Sequence, residues 1–352
     1  MICLIKILHT ADWHLDSPLQ GRTPEQAQFL RRALLAIPGK IATLCRQEQC
    51  RLVLICGDIF DGAYTADSLT ALKNALEEMA VPVFITPGNH DFVGLSSPWL
   101  TEKFPDNVHV FTKQAIEEVY LPDLDLHVYG AGFTSMDCPG LLEGFHAPAN
   151  SIALLHGDPT QVSSPYCPIT QTQVMDSGLQ YLALGHIHKG GQFKAGNTLC
   201  AWPGCPMGRG YDEQGEKGVL ITTLGDTATT RFIPLDFPKF FDLETAPGSL
   251  DALLPPVGNE DFYRITFTGE SEPMDLNTLY AACSRFPNLE LRDRTTAPVD
   301  IWKSLGEDSF EGMYFGLLQD SLAGKTEAEQ QKILLAARIC RQILDGQEVV
   351  LP

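Results

Sequence analysis

Seven side chains with oxygen or nitrogen donor atoms recur along the chain, each close to the end of an apolar segment. They belong to five short motifs, HTADWH, GD, GNHD, LLHGD and GHIH. In chain order the seven are Asp12, His14, Asp58, Asn89, His156, His186 and His188. A donor set of oxygen and nitrogen without sulfur suits Mn²⁺, Fe²⁺ or Zn²⁺. Because two metals about 3.5–4 Å apart clamp the attacking and leaving oxygens of a displacement at phosphorus, the pattern predicts a two-metal phosphoesterase.

The motifs gain their meaning from occurring together. A lone D-x-H is usually a surface turn, a lone GD after a strand is usually a turn, and a lone histidine is usually a core residue. In an extended segment, however, residues i and i+2 point the same way, so Asp12 and His14 can reach one ion, and the imidazoles of His186 and His188 share a face. Asp58 can bridge two ions through its two carboxylate oxygens.

His90 and Asp91 complete GNHD, the most specific of these motifs. Since seven ligands already fill two metal sites, we assign His90 as a second-sphere acid that protonates the leaving alkoxide or stabilises charge on the phosphorane. The near-neutral pKa of imidazole suits that role. Asp91 is expected to accept a hydrogen bond from the His90 imidazole and orient it. The alternative for Asp91 is a helix N-cap.

Apolar segments alternate with helical ones in the part of the chain that must position these residues. Strands are predicted at 4–9, 51–56 and 81–86, and helices at 24–49, with a break near Pro38, and at 66–80. Further strands are predicted at 126–130, 152–156, 181–184, 198–202, 218–224 and 229–235. This order predicts an α/β fold, a layered β-sandwich flanked by helices. The motif residues fall at the carboxyl ends of strands, where ligand sites of α/β sheets lie.

A stretch rich in Pro, Gly and acidic residues at 238–260 predicts a domain boundary. We therefore expect a catalytic domain at 1–240, a small β-α-β capping domain at 255–305 and a C-terminal helical segment at 306–352. A helix is predicted at 327–344, with Thr326 and Glu329 as a capping box. Its apolar stripe either packs on its own domain or docks a partner.

The formal net charge of −19 opposes nucleic-acid binding, because phosphate contacts normally come from Lys and Arg. Any DNA binding must then rely on the metals, a local basic patch or a partner. No apolar run approaches the ~20 residues that span a bilayer, and the opening residues do not form a signal peptide. A cytoplasmic protein without membrane association is expected.

The blocks HTADWHLDSPLQG, ICGDIFD, TPGNHD, LLHGD and LALGHIHKGG resemble the calcineurin-like metallophosphoesterases. Within that superfamily the chain is similar to the SbcD and YhaO-type DNA repair exonucleases, also through WPGCPMGRG and GEKGV at 202–219. The departures are Trp13 for the commoner Leu or Ile, Cys205 for Ser, and Gly210 in a G-R-G where G-R-H is usual. The last puts a phosphate or substrate contact in doubt.

The resemblance implies a mechanism and partners. In the usual division of ligands, Asp12, His14, Asp58 and His188 hold one ion, and Asp58, Asn89, His156 and His186 hold the other. A metal-bridging hydroxide would be the nucleophile. The resemblance also implies a small capping domain, a coiled-coil ATPase partner of the SbcC/YhaN kind and a homodimer.

Three functions are compatible with these observations. The first is a Mn²⁺-dependent DNA exonuclease or endonuclease in DNA repair. The second is a small-molecule or nucleotide phosphodiesterase or phosphatase on the same metal site, and the third is a non-catalytic scaffold. A basic groove beside the metals would favour DNA, and its candidate residues are Lys189, Lys194, Arg209 and Lys217. A closed pocket of ligand size would favour the second function.

Overall fold

The computed structural model describes residues 4–347 and residue 349. The first three residues of the predicted 1–240 domain, and residues 348 and 350–352 of the predicted 306–352 segment, lie outside the described residues. The chain forms two compact units. The first contains the residues up to 241 together with 260–263, and the second contains 242–259 and the residues from 264 onwards.

Within the part of the chain that the structure describes, two six-stranded sheets form the centre of the first unit. The first sheet has the order β12-β11-β1-β2-β3-β4, in which β1 to β4 run parallel and β11 runs antiparallel to β1. Its strands are β1 (Ile5–Thr10), β2 (Leu52–Cys56), β3 (Val83–Thr86), β4 (Val108–Val110), β11 (Gly218–Leu224) and β12 (Thr229–Pro234).

The second sheet has the order β5-β6-β7-β8-β10-β9, and β6, β7, β8 and β10 run parallel. Its strands are β5 (Glu117–Leu121), β6 (Leu126–Gly130), β7 (Ser151–His156), β8 (Tyr181–Gly185), β9 (Lys189–Ala195) and β10 (Thr198–Gly204). The carboxyl ends of β7 and β8 and those of β1 to β3 carry the motif loops.

The described residues of the first unit form five helices: α1 (Pro24–Leu35), α2 (Ile37–Gln47), α3 (Ala66–Met79), α4 (Pro98–Thr101) and α5 (Gln171–Asp176). The predicted helix at 24–49 is two helices that meet at Ala36, because Pro38 in the first turn of α2 cannot donate a backbone hydrogen bond.

Alternate residues of the strands serve two different cores. In β2, Leu52 and Leu54 pack between the two sheets with Leu154 of β7, whereas Val53 and Ile55 pack under α1, α2 and α3. A third cluster covers the other face of the second sheet. The period of two is the ordinary alternation of a β-strand. The predicted layered sandwich flanked by helices is therefore confirmed.

The second unit has its own elements. It contains most of a three-stranded sheet of the order β13-β14-β15, whose strands span Phe240–Thr245, Phe262–Phe267 and Leu289–Asp293. Its helices are α6 (Leu250–Leu253), α7 (Leu276–Ala282), α8 (Phe310–Asp320) and α9 (Glu327–Leu344). The stretch at 238–260 is thus not only a linker, since it contains β13 and α6. The capping box of Thr326 and Glu329 is present in α9, as predicted.

The apolar stripe of α9 is divided between packed and exposed positions. Ala337 is buried, whereas Ile343 and Leu344 are 60% and 47% exposed. Both interpretations of the stripe therefore stay open. Among the helices of the described part of the chain, none has the length and apolar character that crossing a membrane requires.

Candidate metal centre

Loops after five strands bring the candidate ligands together. Asp12 and His14 follow β1, Asp58 follows β2, Asn89 follows β3, His156 ends β7, and His186 and His188 lie between β8 and β9. Backbone hydrogen bonds join the first two loops, from Asp12 N–H to the Gly57 carbonyl at 3.0 Å and from His14 N–H to the Asp58 carbonyl at 2.9 Å. The His186 N–H donates to the Asp12 carboxylate at 2.9 Å.

Four of the seven candidates adopt a backbone conformation that L residues rarely use. The φ angles are 55° at Asp12, 47° at His14, 52° at Asp58 and 95° at His186. Such conformations cost about 1–3 kcal/mol each and persist only where the surroundings impose them. The strained backbone turns these side chains towards one common space.

Glycines make this convergence possible. A Cβ on Gly57 would lie 2.4 Å from Nδ1 of His156, and a Cβ on Gly88 would lie 2.2 Å from Oδ1 of Asp58. Gly57 also has a φ of +82°, which glycine adopts without strain. The glycines of GD and GNHD therefore clear the space that the ligands occupy.

The Asp58 carboxylate lies between two groups of donors. Its Oδ2 is 3.7 Å from Nε2 of His14 and 3.4 Å from Nε2 of His156. On the His14 side, the Nε2 atoms of His14 and His188 are 3.1 Å apart, and Asp12 joins them within 4.8 Å. On the His156 side, Oδ1 of Asn89 is 2.9 Å from Nε2 of His156 and 3.2 Å from Nδ1 of His186. All seven candidates thus face one site.

Burial keeps three imidazoles of this cluster neutral, those of His14, His156 and His186. It lowers the pKa of His14 and of His186 to about 4 and that of His156 to about 3, and neutral imidazole is the form that ligates metals. Burial also raises the pKa of Asp12 to about 7, because an uncompensated carboxylate is unfavourable away from water. Converging nitrogen and oxygen lone pairs beside buried carboxylates fit divalent cations. The donors on the His14 side of Asp58 can hold one ion, and those on the His156 side can hold another.

The expected pairing of His90 with Asp91 is wrong. Nδ1 of His90 lies 2.7 Å from Oδ1 of Asp61, and this contact raises the pKa of His90. Asp91 is buried and its carboxylate accepts backbone N–H bonds from four residues, Gly88 at 2.7 Å, Ile59 at 2.8 Å, Asp58 at 3.2 Å and Phe60 at 3.3 Å. Asp91 therefore ties the loop after β3 to the loop after β2, and it is not a helix N-cap.

Asp61, which follows Asp58 in the loop after β2, belongs to the site. Its Oδ1 also lies 3.4 Å from Nδ1 of His14, and its Oδ2 lies 3.9 Å from Nη1 of Arg209. Only 14% of the side chain is exposed. Burial opposes its ionisation, but the contacts with the ring nitrogens of His14 and His90 hold the pKa of Asp61 well below its usual range. Asp61 is thus an ionised partner of two site histidines.

Glu213 is a site residue that the sequence reasoning missed. Its Oε1 lies 2.7 Å from Nδ1 of His188 and 2.6 Å from Nη2 of Arg209. Burial alone would raise the pKa of Glu213. The hydrogen bonds from His188 and Arg209 nevertheless hold this pKa below its usual range. A carboxylate behind a histidine ligand fixes the ring orientation and raises its basicity. No spacing rule links residue 213 to residue 188, so only its place near the WPGCPMGRG block pointed to it.

Residues 5–190 match the model of a protein family described as calcineurin-like phosphoesterase. The chain belongs to this family. Membership supports hydrolysis of phosphoesters with divalent metal ions, and the resemblance read from the motifs is confirmed.

Two curated relatives from Bacillus subtilis (strain 168) are similar to the chain. One is the uncharacterized metallophosphoesterase YhaO, which is 32% identical over 64% of this chain and 59% of its own length. The other is the SbcD subunit of the nuclease SbcCD, which is 25% identical over 67% of this chain and 71% of its own length. The chain therefore spans about three fifths of the first relative.

A solved structure, that of a dimetal phosphatase from Danio rerio, matches 65% of this chain and 98% of its own. The TM-score is 0.43 and the sequence identity is 13%. A likeness at this level carries no information about substrate.

Proposed function

We propose that the chain is a two-metal phosphodiester hydrolase that cleaves DNA, as an exonuclease or endonuclease in DNA repair, with Mn²⁺ as its metal. The observation that carries the proposal is the convergence of six donor side chains on Asp58, with the half-exposed His90 beside them. A half-exposed imidazole contributes little to the packing of the protein, and it is accessible to a substrate.

The ligands divide between two ions in this proposal. Asp12, His14, Asp58 and His188 would hold one ion, and Asp58, Asn89, His156 and His186 would hold the other. When bound, the ions lower the pKa of water towards neutrality and neutralise charge on the phosphate. The remaining chemistry belongs to the protein's own side chains.

His90 supplies the proton for the leaving group. Its Nδ1–H donates to the ionised Asp61 at 2.7 Å, which leaves Nε2 to carry the proton towards the substrate. The contact with Asp61 raises the pKa of His90, so a larger fraction of the imidazole is protonated near neutral pH. Asp61 takes the orienting role first given to Asp91.

Support for DNA as the substrate comes from the relative named as the SbcD subunit of the nuclease SbcCD, which aligns with 67% of this chain. By the same likeness we propose a coiled-coil ATPase of the SbcC/YhaN kind as partner, and a homodimer. The 255–305 region would then cap the catalytic domain. The net charge of −19 favours the alternative, a phosphodiesterase for small molecules or nucleotides.

The test is hydrolysis of 5′- and 3′-labelled single- and double-stranded DNA with Mn²⁺, with bis-p-nitrophenyl phosphate alongside. We expect cleavage of DNA. We also expect that His90→Ala lowers the turnover rate about 10²–10⁴-fold while both metals stay bound. Turnover of the small ester with no DNA cleavage, also after addition of the ATPase partner, would favour the alternative.

A further inference from the structure

A second site lies in the first unit, in a cavity of about 430 Å³ lined by residues of β9, β10, β11 and β12. The strands β9 and β12 are the terminal strands of the second and the first sheet. A cavity of this volume is within the range of small-ligand sites. The lining residues that matter here are Lys189, Gly191, Trp202, Lys217, Leu220 and Phe232.

Two aromatic residues, Trp202 and Phe232, line this cavity. Trp202 stands opposite Gly191 in the antiparallel pair of β10 and β9, and a Cβ on Gly191 would come within 2.5 Å of the indole. The glycine therefore leaves room for the ring to lie across β9. The indole N–H donates to the Lys189 carbonyl at 2.9 Å and fixes the ring. Phe232 on β12 is 40% exposed.

The cavity carries positive charge on a strongly acidic protein. Lys189 and Lys217 line it, and Lys217 Nζ donates to the His188 carbonyl at 3.1 Å. The carboxylate of Glu216, which also lines the cavity, is paired with Lys239 at 3.0 Å. Aromatic faces together with ammonium groups are the combination that binds single nucleotides of a strand.

The cavity begins next to the candidate metal centre. Lys189 directly follows the candidate ligand His188, and consecutive Cα atoms are about 3.8 Å apart. Of the four basic residues considered for a groove, Lys189 and Lys217 line this cavity, whereas Arg209 is engaged by Glu213 and Lys194 lies further along β9. A ligand bound here would therefore be a neighbour of the phosphate that is cleaved.

We propose that this cavity binds one nucleoside phosphate unit of the substrate, with its base stacked on Trp202 and Phe232 and its phosphate held by Lys189 and Lys217. The inference rests on the proposed phosphodiester hydrolysis at the metal centre. Stacking is tolerant of sequence, because every base has a π face. The unit is either part of a nucleic-acid strand or a free nucleotide, and both present the same chemistry.

The test is binding of a fluorescein-labelled oligothymidylate and of an abasic strand of equal length, in Mn²⁺ and with His90→Ala so that neither is cleaved. The full chain is expected to bind the abasic strand about tenfold to a hundredfold more weakly. Trp202→Leu and Phe232→Leu are expected to abolish this preference. Competition by thymidine monophosphate at a concentration equal to that of the strand indicates a free nucleotide as ligand, and its absence indicates a strand.

Matched controls separate stacking and charge from general surface effects. Tyr120 is an exposed aromatic residue on β5, at the opposite edge of the second sheet, and Tyr120→Leu should keep the full preference for bases. Lys189→Gln should weaken the binding of the base-bearing and the abasic strand by the same factor, whereas Lys194→Gln should leave the binding of both strands unchanged. Because Trp202 also packs on β9, the variants at the exposed Phe232 and Lys189 test the site without altering that packing.

Equal affinity of the His90→Ala protein, with the cavity unaltered, for base-bearing and abasic strands would overturn the proposal. An unchanged preference for the base-bearing strand after Trp202→Leu and Phe232→Leu would also overturn it. The binding readout involves no turnover. Hydrolysis of bis-p-nitrophenyl phosphate without a preference for bases would therefore overturn this site alone. A preference for bases in a chain that hydrolyses no phosphodiester would overturn the proposed function and leave this site standing.

Discussion

At the scale of residues, three aspartates of neighbouring loops have different duties. Asp58 lies between the two groups of donors, Asp61 pairs with His90 and His14, and Asp91 accepts four backbone N–H bonds. The motifs could predict the first of these, because GD follows a strand and occurs together with four other ligand motifs. They could not show whether Asp61 or Asp91 pairs with His90. Asp91 is adjacent to His90 in sequence, but adjacency does not determine the direction in which each side chain points.

Replacing Asp61 by Asn should lower kcat about tenfold to a hundredfold with KM nearly unchanged. The amide of Asn has the size of the carboxylate but lacks the negative charge that orients His90 and stabilises its protonated form. Steady-state kinetics on bis-p-nitrophenyl phosphate measure the effect, with the exposed Asp123→Asn as the control. An equal loss in Asp91→Asn but none in Asp61→Asn would return the orienting role to Asp91.

Glu213→Gln should weaken Mn²⁺ binding about tenfold to a hundredfold, because His188 loses its charged partner. Titration of the metal-free protein with Mn²⁺ measures this, and the exposed Glu77→Gln is the matched control. If Glu213→Gln binds Mn²⁺ as tightly as the unaltered chain, the carboxylate behind His188 serves only to hold Arg209.

At the scale of elements, the sequence was informative wherever burial was uniform. The strands β1, β2, β3, β7 and β8 are apolar runs and were predicted within two residues of their ends. The strand β9 was missed because KGGQFKA is polar and rich in glycine, and β13 was missed within a stretch of Pro, Gly and acid. The positive φ angles of the ligand loops follow from tertiary contacts, which no local pattern encodes.

The helices α8 and α9 of the second unit are joined by a fully buried cation. Arg341 of α9 donates to Glu311 of α8 at 2.7 Å and to Ser304 at 2.9 Å. Its guanidinium lies 4.1 Å from the ring centroid of Phe315. A cation removed from water is tolerated only with such partners. This contact explains why α9 has a charged residue within its packed face.

Arg341→Met should destabilise the chain by about 1–3 kcal/mol, because Ser304 and Glu311 lose their hydrogen-bond donor. Urea unfolding followed by circular dichroism measures the change. Arg292→Met, which removes a surface ion pair with Glu290, should change stability by no more than about 0.5 kcal/mol. A larger effect of Arg292→Met than of Arg341→Met would refute this account of the helix pair.

At the scale of the whole molecule, a net charge of −19 repels nucleic acid. In our account a strand is held by the metals, by stacking and by two lysines, and few counterions are released on binding. Family membership was predictable from the motifs, since these lie at the ends of five strands. The cavity beside the metal centre was not predictable, since it requires two sheet edges to meet.

The salt dependence of strand binding should accordingly be shallow. Two lysines predict a slope of log K against log salt of about −1 to −2 for a single strand, and Lys189→Gln should reduce its magnitude by about 0.7. Fluorescence anisotropy at several salt concentrations gives both values. A slope of about −5 or steeper would mean that an extended basic surface, and not this cavity, holds the strand.

In our account Asp58 and the six donor side chains around it hold two ions. Calorimetric titration of metal-free protein with Mn²⁺, beside Asp58→Ala, tests it most directly. We predict two ions per chain in the wild type and loss of tight binding of both in Asp58→Ala. A single ion in the wild type, or two ions bound tightly by Asp58→Ala, would contradict the account.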